Sequence, residues 1–422
     1  MTGGDLVAEV LKRHGVPYVF TLCGGHIAPI LVSAKQRGIR VIDVRHEATA
    51  AFAADAASRL TGIPGVCIVT AGPGVTNTIT AVKNAQLAQS PLVVLGGATG
   101  TILKGRGSLQ DIDQMSLFEP HVKWMAEVTQ VRDLVPAVEQ AFEEARLGVP
   151  GPVFVECPVD LLYEESLVRD IYGVGPEAPA PKSLGEKATR FYLERHLGRL
   201  FRGADKVQVG DPPHLERLKA SSGEVQRVAS RLAKAERPLV LVGSQALLAV
   251  DQVEAIATAV DHLGLPVYLS GMARGLLGAN HPRHMRHKRR LALKDADLVL
   301  LFGVPNDFRL DYGRHVGKAK LVSVNLSDHD LTKNRRPDVG ILADPGIFLT
   351  QLAAKLPDGN ERWQPWIEQL AARDTERELG IDGQAASETE FINPLHLCRE
   401  IEAALDEDSI LVGDGGDFVA TI

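Results

Sequence analysis

A repeated junction limits what this chain can become more than any other feature. A short apolar run ends, a turn of glycine or charged residues follows, and a helical pattern opens. The junction occurs at Leu22-Cys23-Gly24-Gly25-His26, at Arg45-His46-Glu47, and at Thr70-Ala71-Gly72-Pro73-Gly74-Val75-Thr76-Asn77. The pattern predicts strands over 16–22, 39–44, 65–70, 91–96 and 153–156, with helices over 47–60, 75–89 and 133–147. Short apolar runs bounded by Gly and Pro and alternating with helices mean a mostly parallel sheet covered on both faces.

A second alternating block follows. It has predicted helices over 225–235, 253–263 and 345–356, and strands over 238–243, 266–269, within 294–303, and over 320–325. Between the blocks, Pro176, Pro179, Pro181 and Gly210-Asp211-Pro212-Pro213 mark a linker, with a helical insert expected over 188–201. The expected division is 1–163, linker 164–222, second domain 223–357, polar linker 358–392, and a last piece 393–422. That piece has a helix over 394–405 and a strand over 410–412. One helix and one strand cannot bury a core, so it is expected to begin a third domain that the chain interrupts. The fold class is therefore α/β, with two doubly wound, mostly parallel domains and the beginning of a third.

With 422 residues the chain is too long for one core, and its 45% hydrophobic and 23% charged content is ordinary for globular proteins. The net charge of −7 argues against nucleic acid as the main partner. A local exception, Arg283 to Arg290, is either a solvated face or an anion site for a nucleotide or coenzyme A phosphate. Cys23, Cys67, Cys157 and Cys398 are scattered, so neither a zinc site nor a disulfide framework is indicated, and core packing is expected for three of them. No apolar run reaches the ~20 residues a membrane span needs, and no signal peptide is visible at the start. The expected location is cytoplasmic, with no membrane partner.

Parallel sheets bind ligands beyond the carboxyl ends of their strands, where these junctions lie. Gly24 and Gly25 permit close backbone approach. His26 is either a capping or core histidine or a group facing a ligand. Glu47 is either a charge on the helix dipole or a functional acid. The Thr70–Asn77 turn lacks both the GxGxxG spacing and a P-loop lysine, which disfavours a dinucleotide fingerprint. The loop Arg106 to Gln114 is long and polar, as functional loops are. In the second block, Gly243-Ser244-Gln245, Gly271 to Gly275 with Arg274, Gly303 to Asp307, and Asn325 are either plain connections or a nucleotide site.

Taken in order, these motifs resemble the thiamine-diphosphate (ThDP) dependent acetolactate synthase and 2-hydroxyacyl-CoA lyase superfamily. Gly151 to Asp160 is similar to the closing strand of its pyrimidine-binding domain. Gly271 to Leu277 with His281-Pro282 is similar to the central domain of the acyl-CoA branch. The resemblance implies that Glu47 hydrogen-bonds N1′ of the cofactor's aminopyrimidine from a dry site. It implies that Gly24, Gly25, Pro73, Gly74 and Asn77 hold the pyrimidine, and that His26 and Gln110 face substrate. It implies FAD, or ADP or coenzyme A, at Gly243, Ser244, Gln245, Arg274, Gly303 and Asn325. Mg²⁺ ligands are expected in a C-terminal domain. Gly413-Asp414-Gly415 is not taken as its metal motif, because too few residues follow. The expected activity is carbon–carbon bond cleavage or formation on a 2-oxo acid or a 2-hydroxyacyl-CoA, in a homodimer or homotetramer. The chain alone is expected to be inactive. The alternative is a non-catalytic, truncated module that binds nucleotide or dimerises.

Overall fold

The first helix shows how local sequence sets an element's boundary. The Asp5 N–H donates to Thr2 Oγ1 at 3.0 Å and the Thr2 N–H donates to Asp5 Oδ2 at 2.8 Å, a reciprocal cap. Helix α1 (Gly3–Arg13) then buries Leu6, Val7, Val10 and Leu11, one face of a 3.6-residue period. The structure, a computed structural model, describes residues 2–357, 361–413 and 415. The chain divides into two compact units, Met1–Arg217 and Leu218–Ile422.

In the first unit β1 (Tyr18–Leu22), α2 (Ala28–Gln36), β2 (Arg40–Asp43) and α3 (Glu47–Thr61) follow α1. Next come β3 (Gly65–Val69), α4 (Pro73–Thr76), α5 (Ile79–Ala88), β4 (Leu92–Ala98), α6 (Gln114–Phe118) and β5 (Trp124–Glu127). The unit closes with α7 (Leu134–Arg146), β6 (Pro152–Pro158), α8 (Val159–Leu162), α9 (Glu165–Ile171) and α10 (Leu184–Leu200). All strand pairs are parallel, in the order β2-β1-β3-β4-β6-β5. Strands β3, β4 and β6 are buried along their whole length, as a sheet with helices on both faces requires. The chain runs from β1 outward to β2 and returns on the other side of β1 as β3. That reversal opens a crevice at the carboxyl ends of β1 and β3.

The second unit holds α11 (Ser222–Leu232), β7 (Pro238–Val242), α12 (Val253–His262), β8 (Val267–Leu269), α13 (Arg289–Asp295) and β9 (Leu298–Phe302). It continues with β10 (Lys320–Asn325), α14 (Asp328–Thr332), β11 (Val339–Leu342), α15 (Pro345–Ala353), α16 (Gln364–Ala385) and α17 (Pro394–Ala404). Its sheet is parallel in the order β11-β10-β9-β7-β8, with its reversal between β7 and β9.

The two parallel α/β domains match the expected class. Details differ from the sequence reading. The helix expected over 75–89 is two pieces, α4 and α5. The insert helix is longer than 188–201 and starts at Leu184, where Ser183 and Glu186 form a capping box. The polar connection expected over 358–392 contains α16, whose first turns bury Trp366, Ile367 and Leu370 beside the buried Trp363. Both indoles donate to main-chain carbonyls, Trp363 to Ala235 and Trp366 to Pro238, each at 3.0 Å. Ile410–Val412 forms no strand: it has no ladder partner among the described residues and is exposed, and a lone strand has nothing to pair with. The Gly413-Asp414-Gly415 stretch lies partly outside the described residues.

Candidate active site

At the β1/β3 reversal, glycines let three strand-end loops close on one another. A Cβ on Gly24 would meet Thr70 Oγ1 at 2.5 Å, one on Gly74 would meet Thr70 Cγ2 at 2.8 Å, and one on Gly97 would meet His26 Cβ at 2.7 Å. Gly72 sits at φ +65°, a conformation that glycine adopts freely. Gly25 is different: nothing lies within 4 Å of the place its Cβ would take.

Glu47 is the first residue of α3, behind the cap His46, whose Nδ1 accepts the Ala48 N–H at 3.1 Å. Its side chain is buried, with 7% of the residue exposed. Asn77 Nδ2 donates to Glu47 Oε2 at 2.9 Å, and this is its one hydrogen bond among the described residues. No cation pairs with it there. The surroundings are dry: burial, with the Glu47 charge added, pushes the thiol of Cys67 on β3 far above its usual range. Around this buried acid, Gly25, Pro73 and Asn77 are exposed. The helix N-terminus favours the charge on Glu47.

His26 Nδ1 lies 3.1 Å from Thr70 Oγ1, and burial holds the imidazole below its ordinary pKa. His26 is therefore half-buried, tied to the crevice wall and neutral near pH 7. Gln110 packs its Cβ against Gly72 at the place a Gly72 side chain would occupy, 2.9 Å away, and holds φ +61°. A non-glycine residue there is uncommon and marks a locally constrained loop.

Two buried residues that the sequence reading did not single out fix the crevice floor. Gln114, 2% exposed, accepts the Gly72 N–H at 2.8 Å through Oε1. Its Nε2 donates to the Gly97 carbonyl at 3.1 Å and to Glu156 Oε2 at 2.7 Å. Glu156, 1% exposed on β6, is paired with Lys104 at 2.5 Å, and Lys104 also reaches Glu127 at 2.7 Å. Burial opposes the charge on Lys104, but the two carboxylates hold its pKa above the usual value. A glutamate inside the apolar run Val153-Phe154-Val155-Glu156 was the available signal, since a buried charge needs a partner.

Among the described residues the second unit's reversal carries no acid of this kind; Asp307, just beyond β9, is paired with Arg309 at 2.6 Å. A Cβ on Gly243 would meet the Gly303 carbonyl at 2.4 Å, and one on Gly271 would meet Ser244 Oγ at 2.4 Å. Ser244 Oγ accepts the Met272 N–H at 3.1 Å and Gln245 Oε1 accepts the Leu326 N–H at 3.0 Å. Asn306 and Asn325, each 1% exposed, leave Oδ1 and Nδ2 respectively without a partner among the described residues. Arg274 is exposed, two residues after Met272 in the same loop. The basic run is largely spent internally: Arg283 pairs with Asp261, Arg286 and His287 with Glu378, and Arg289 donates to the Arg309 carbonyl. Carboxylates therefore occupy Arg283, Arg286 and His287, three members of the run.

Two parallel sheets, each opening a glycine-lined crevice at its strand-order reversal, define a cofactor-binding α/β protein. Residues 1–117 match the family described as thiamine pyrophosphate enzyme, N-terminal TPP binding domain, and 225–352 match its central domain. A 2-hydroxyacyl-CoA lyase 2 from Danio rerio is 48% identical over 427 residues, covering 99% of this chain and 68% of the relative. The Homo sapiens protein of the same name is 46% identical over 426 residues, covering 99% and 67%. The acetolactate synthase large subunit IlvG of Mycobacterium tuberculosis is 33% identical over 424 residues, covering 99% and 69%. The chain belongs to the thiamine pyrophosphate enzyme family and spans about two thirds of the length of these relatives.

Proposed function

We propose that this chain provides the aminopyrimidine side of a ThDP site in a carbon–carbon lyase that acts on 2-hydroxyacyl-CoA. The observation that carries the reading is Glu47, a buried acid with one neutral donor, at the mouth of a crevice where Gly25 leaves open space. These residues suit the edge of a flat nitrogen heterocycle. Oε1 is left for a ring nitrogen, while Asn77 holds Oε2 and sets the carboxyl plane. Pro73 and Gly74 supply a wall that approaches closely. Bound there, ThDP supplies a carbon nucleophile and electron sink next to a carbonyl. Glu47 holds and returns one proton at Oε1, and the dry surroundings keep water from competing for it. Neutral His26 and the Gln110 loop orient substrate at the rim.

The 2-hydroxyacyl-CoA reading is preferred to acetolactate synthesis because the relatives at 46–48% identity carry the lyase name, while those named for acetolactate synthase stand at 33%. In the second unit, the unpartnered Asn306 Oδ1 and Asn325 Nδ2 suit a nucleotide, with Arg274 at its phosphates; ADP or coenzyme A fits the preferred reading. Among the described residues no group of His, Cys, Asp or Glu could hold a metal, so the residues here are assigned the pyrimidine side only. Phe52, Leu60 and Leu87, exposed on α3 and α5, are where we place a homo-oligomer contact. No described helix is long and apolar enough to cross a membrane, and we place the enzyme in an aqueous compartment.

The test is ThDP- and Mg²⁺-dependent release of aldehyde from a 2-hydroxyacyl-CoA by the protein, with the diphosphate side of the site supplied by a family C-terminal domain joined to it, and by the same assembly carrying Glu47→Gln. The variant is expected to fold normally and lose ~10²–10⁴-fold in kcat. Near-normal turnover sinks the assignment of Glu47. No turnover in that assembly with Glu47 unchanged rejects the catalytic reading and leaves the non-catalytic nucleotide-binding module.

A further inference from the structure

At the other edge of the first sheet, α10 lays Leu197 and Leu200 on the core. On the same helix His196 and Arg199, with Arg202 just past its end, line a recess of about 350 Å³. Thr129, Gln130 and Arg132, which follow β5, form the opposite wall. No carboxylate belongs to the lining. Arg199 and Arg202 have no ion pair among the described residues, and Arg132 has only Asp133 at 3.7 Å, with both side chains about half exposed. Several other arginines of this unit sit on carboxylates: Arg37 on Asp5 and Glu9, Arg59 on Asp55, Arg169 on Glu165. Three guanidinium groups sharing one recess repel one another unless an anion joins them.

The fourth member is held in place from behind. His196 Nε2 is 2.8 Å from Thr101 Oγ1, which is 2.7 Å from Asp160 Oδ2. The Thr101 N–H and the Tyr172 hydroxyl converge on the same Oδ2 at 2.9 and 3.1 Å. With the Thr101 proton directed to that carboxyl, His196 donates its Nε2–H to Thr101, and the imidazole is oriented before any ligand arrives. Thr101, Asp160 and Gln130 follow β4, β6 and β5, so the recess lies at carboxyl strand ends, where open α/β sheets place ligands. None of its residues contacts Glu47, His26 or Asn77.

We propose that this recess is an anion site for a small phosphate ester carrying at least two phosphoryl groups. Guanidinium forks match phosphate oxygens in pairs, and three of them exceed what a single phosphoryl group can use. The volume is at the lower end of small-molecule sites, which suits a diphosphate with part of its ester group. The site stands whether or not the Glu47 reading holds.

The experiment is calorimetric titration of the whole protein with inorganic diphosphate, without divalent metal, followed by displacement with ADP. Three proteins are compared: unmodified, Arg199→Ala/Arg202→Ala, and Arg286→Ala/Arg290→Ala as a control from the other unit. Expected is one saturable diphosphate site, weakened at least ~10-fold in the first variant, unchanged in the control, and at least ~10-fold tighter than for orthophosphate. ADP is expected to displace the diphosphate. Equal affinity in the Arg199/Arg202 variant, no saturable binding up to ~10 mM, or no displacement by ADP overturns the proposal. Both substituted arginines are exposed, so the variant is expected to keep the parent's melting temperature, and its circular dichroism spectrum checks that loss of binding is not loss of fold.

Discussion

The two units furnish the same kind of strand-order reversal with different side chains. Each has a parallel sheet with one reversal of strand order, and each knots its strand-end loops together with glycines that a side chain would push apart. The first unit places an ionisable acid at its reversal, buried, with one amide partner and a helix N-terminus behind it. The second places neutral amides there, Asn306 and Asn325, each with one buried atom unpartnered. A buried orphan atom costs about 1–3 kcal/mol until something bonds it. The comparison teaches that the fold fixes where a ligand sits. The residue type that follows each strand sets what the crevice offers: a carboxyl in the first unit, amides in the second.

The sharpest way to break this contrast is Glu47→Gln, with the expected ~10²–10⁴-fold loss of turnover and an unchanged melting curve. No single substitution at the second reversal should approach that. Gly243→Val should act on stability instead, costing about 3 kcal/mol by forcing the Gly303 carbonyl away, as read by denaturant unfolding. If the second crevice is a holding site, ADP at ~100-fold above its Kd should add about 2.7 kcal/mol of stability, and Asn325→Leu should remove most of that gain. A thermal-shift series in which the variant responds as the parent does would dissolve the contrast. Gln114→Ala should cost about 2 kcal/mol, because it strips partners from the Gly72 N–H and from Glu156 together; chemical denaturation gives the value.

The smallest effect concerns pH in the first unit. His14 stacks on Phe142, and burial, with the Arg146 charge nearby, pushes its pKa down to about 4. The unfolded chain binds the proton near 6.5 and the folded chain does not. Its contribution is therefore fully present above pH 6.5 and is lost as pH falls toward 4. With the ring partly exposed and screened, the loss is ~1–2 kcal/mol. His14→Phe should flatten that part of the stability profile, and an unchanged slope would refute the assignment.

Much of the architecture was legible because buried parallel strands announce themselves as apolar runs. The expected 65–70 and 320–325 strands lie at Gly65–Val69 and Lys320–Asn325. The missed strands have weaker patterns: β5 is a four-residue edge strand that is half-buried, and β11 alternates buried and exposed residues around a glycine. Helix α16 was hidden by its polar length, although Trp363, Trp366, Ile367 and Leu370 carry the i, i+3, i+4, i+7 spacing. Glu47 and Asn77 were legible as members of separate motifs, but their hydrogen bond was not. The tie between Gln114 and Glu156 joins positions 42 residues apart, beyond the reach of local pattern. The carboxylates that pair with part of the basic run, Asp261 and Glu378, likewise lie far along the chain.

The loop after β4 is pinned at two points, by Lys104 on Glu127 and Glu156 and by Gln114 beneath Gly72. Between those pins, Gly105 to Gln110 is mostly exposed. Within this span Ser108 is tied to Thr99 and Gln110 packs on Gly72, whereas Arg106 and Leu109 are exposed and touch neither pin. Exposed positions such as Arg106 and Leu109 can therefore vary over evolutionary time while the buried carboxyl of Glu47 keeps its place.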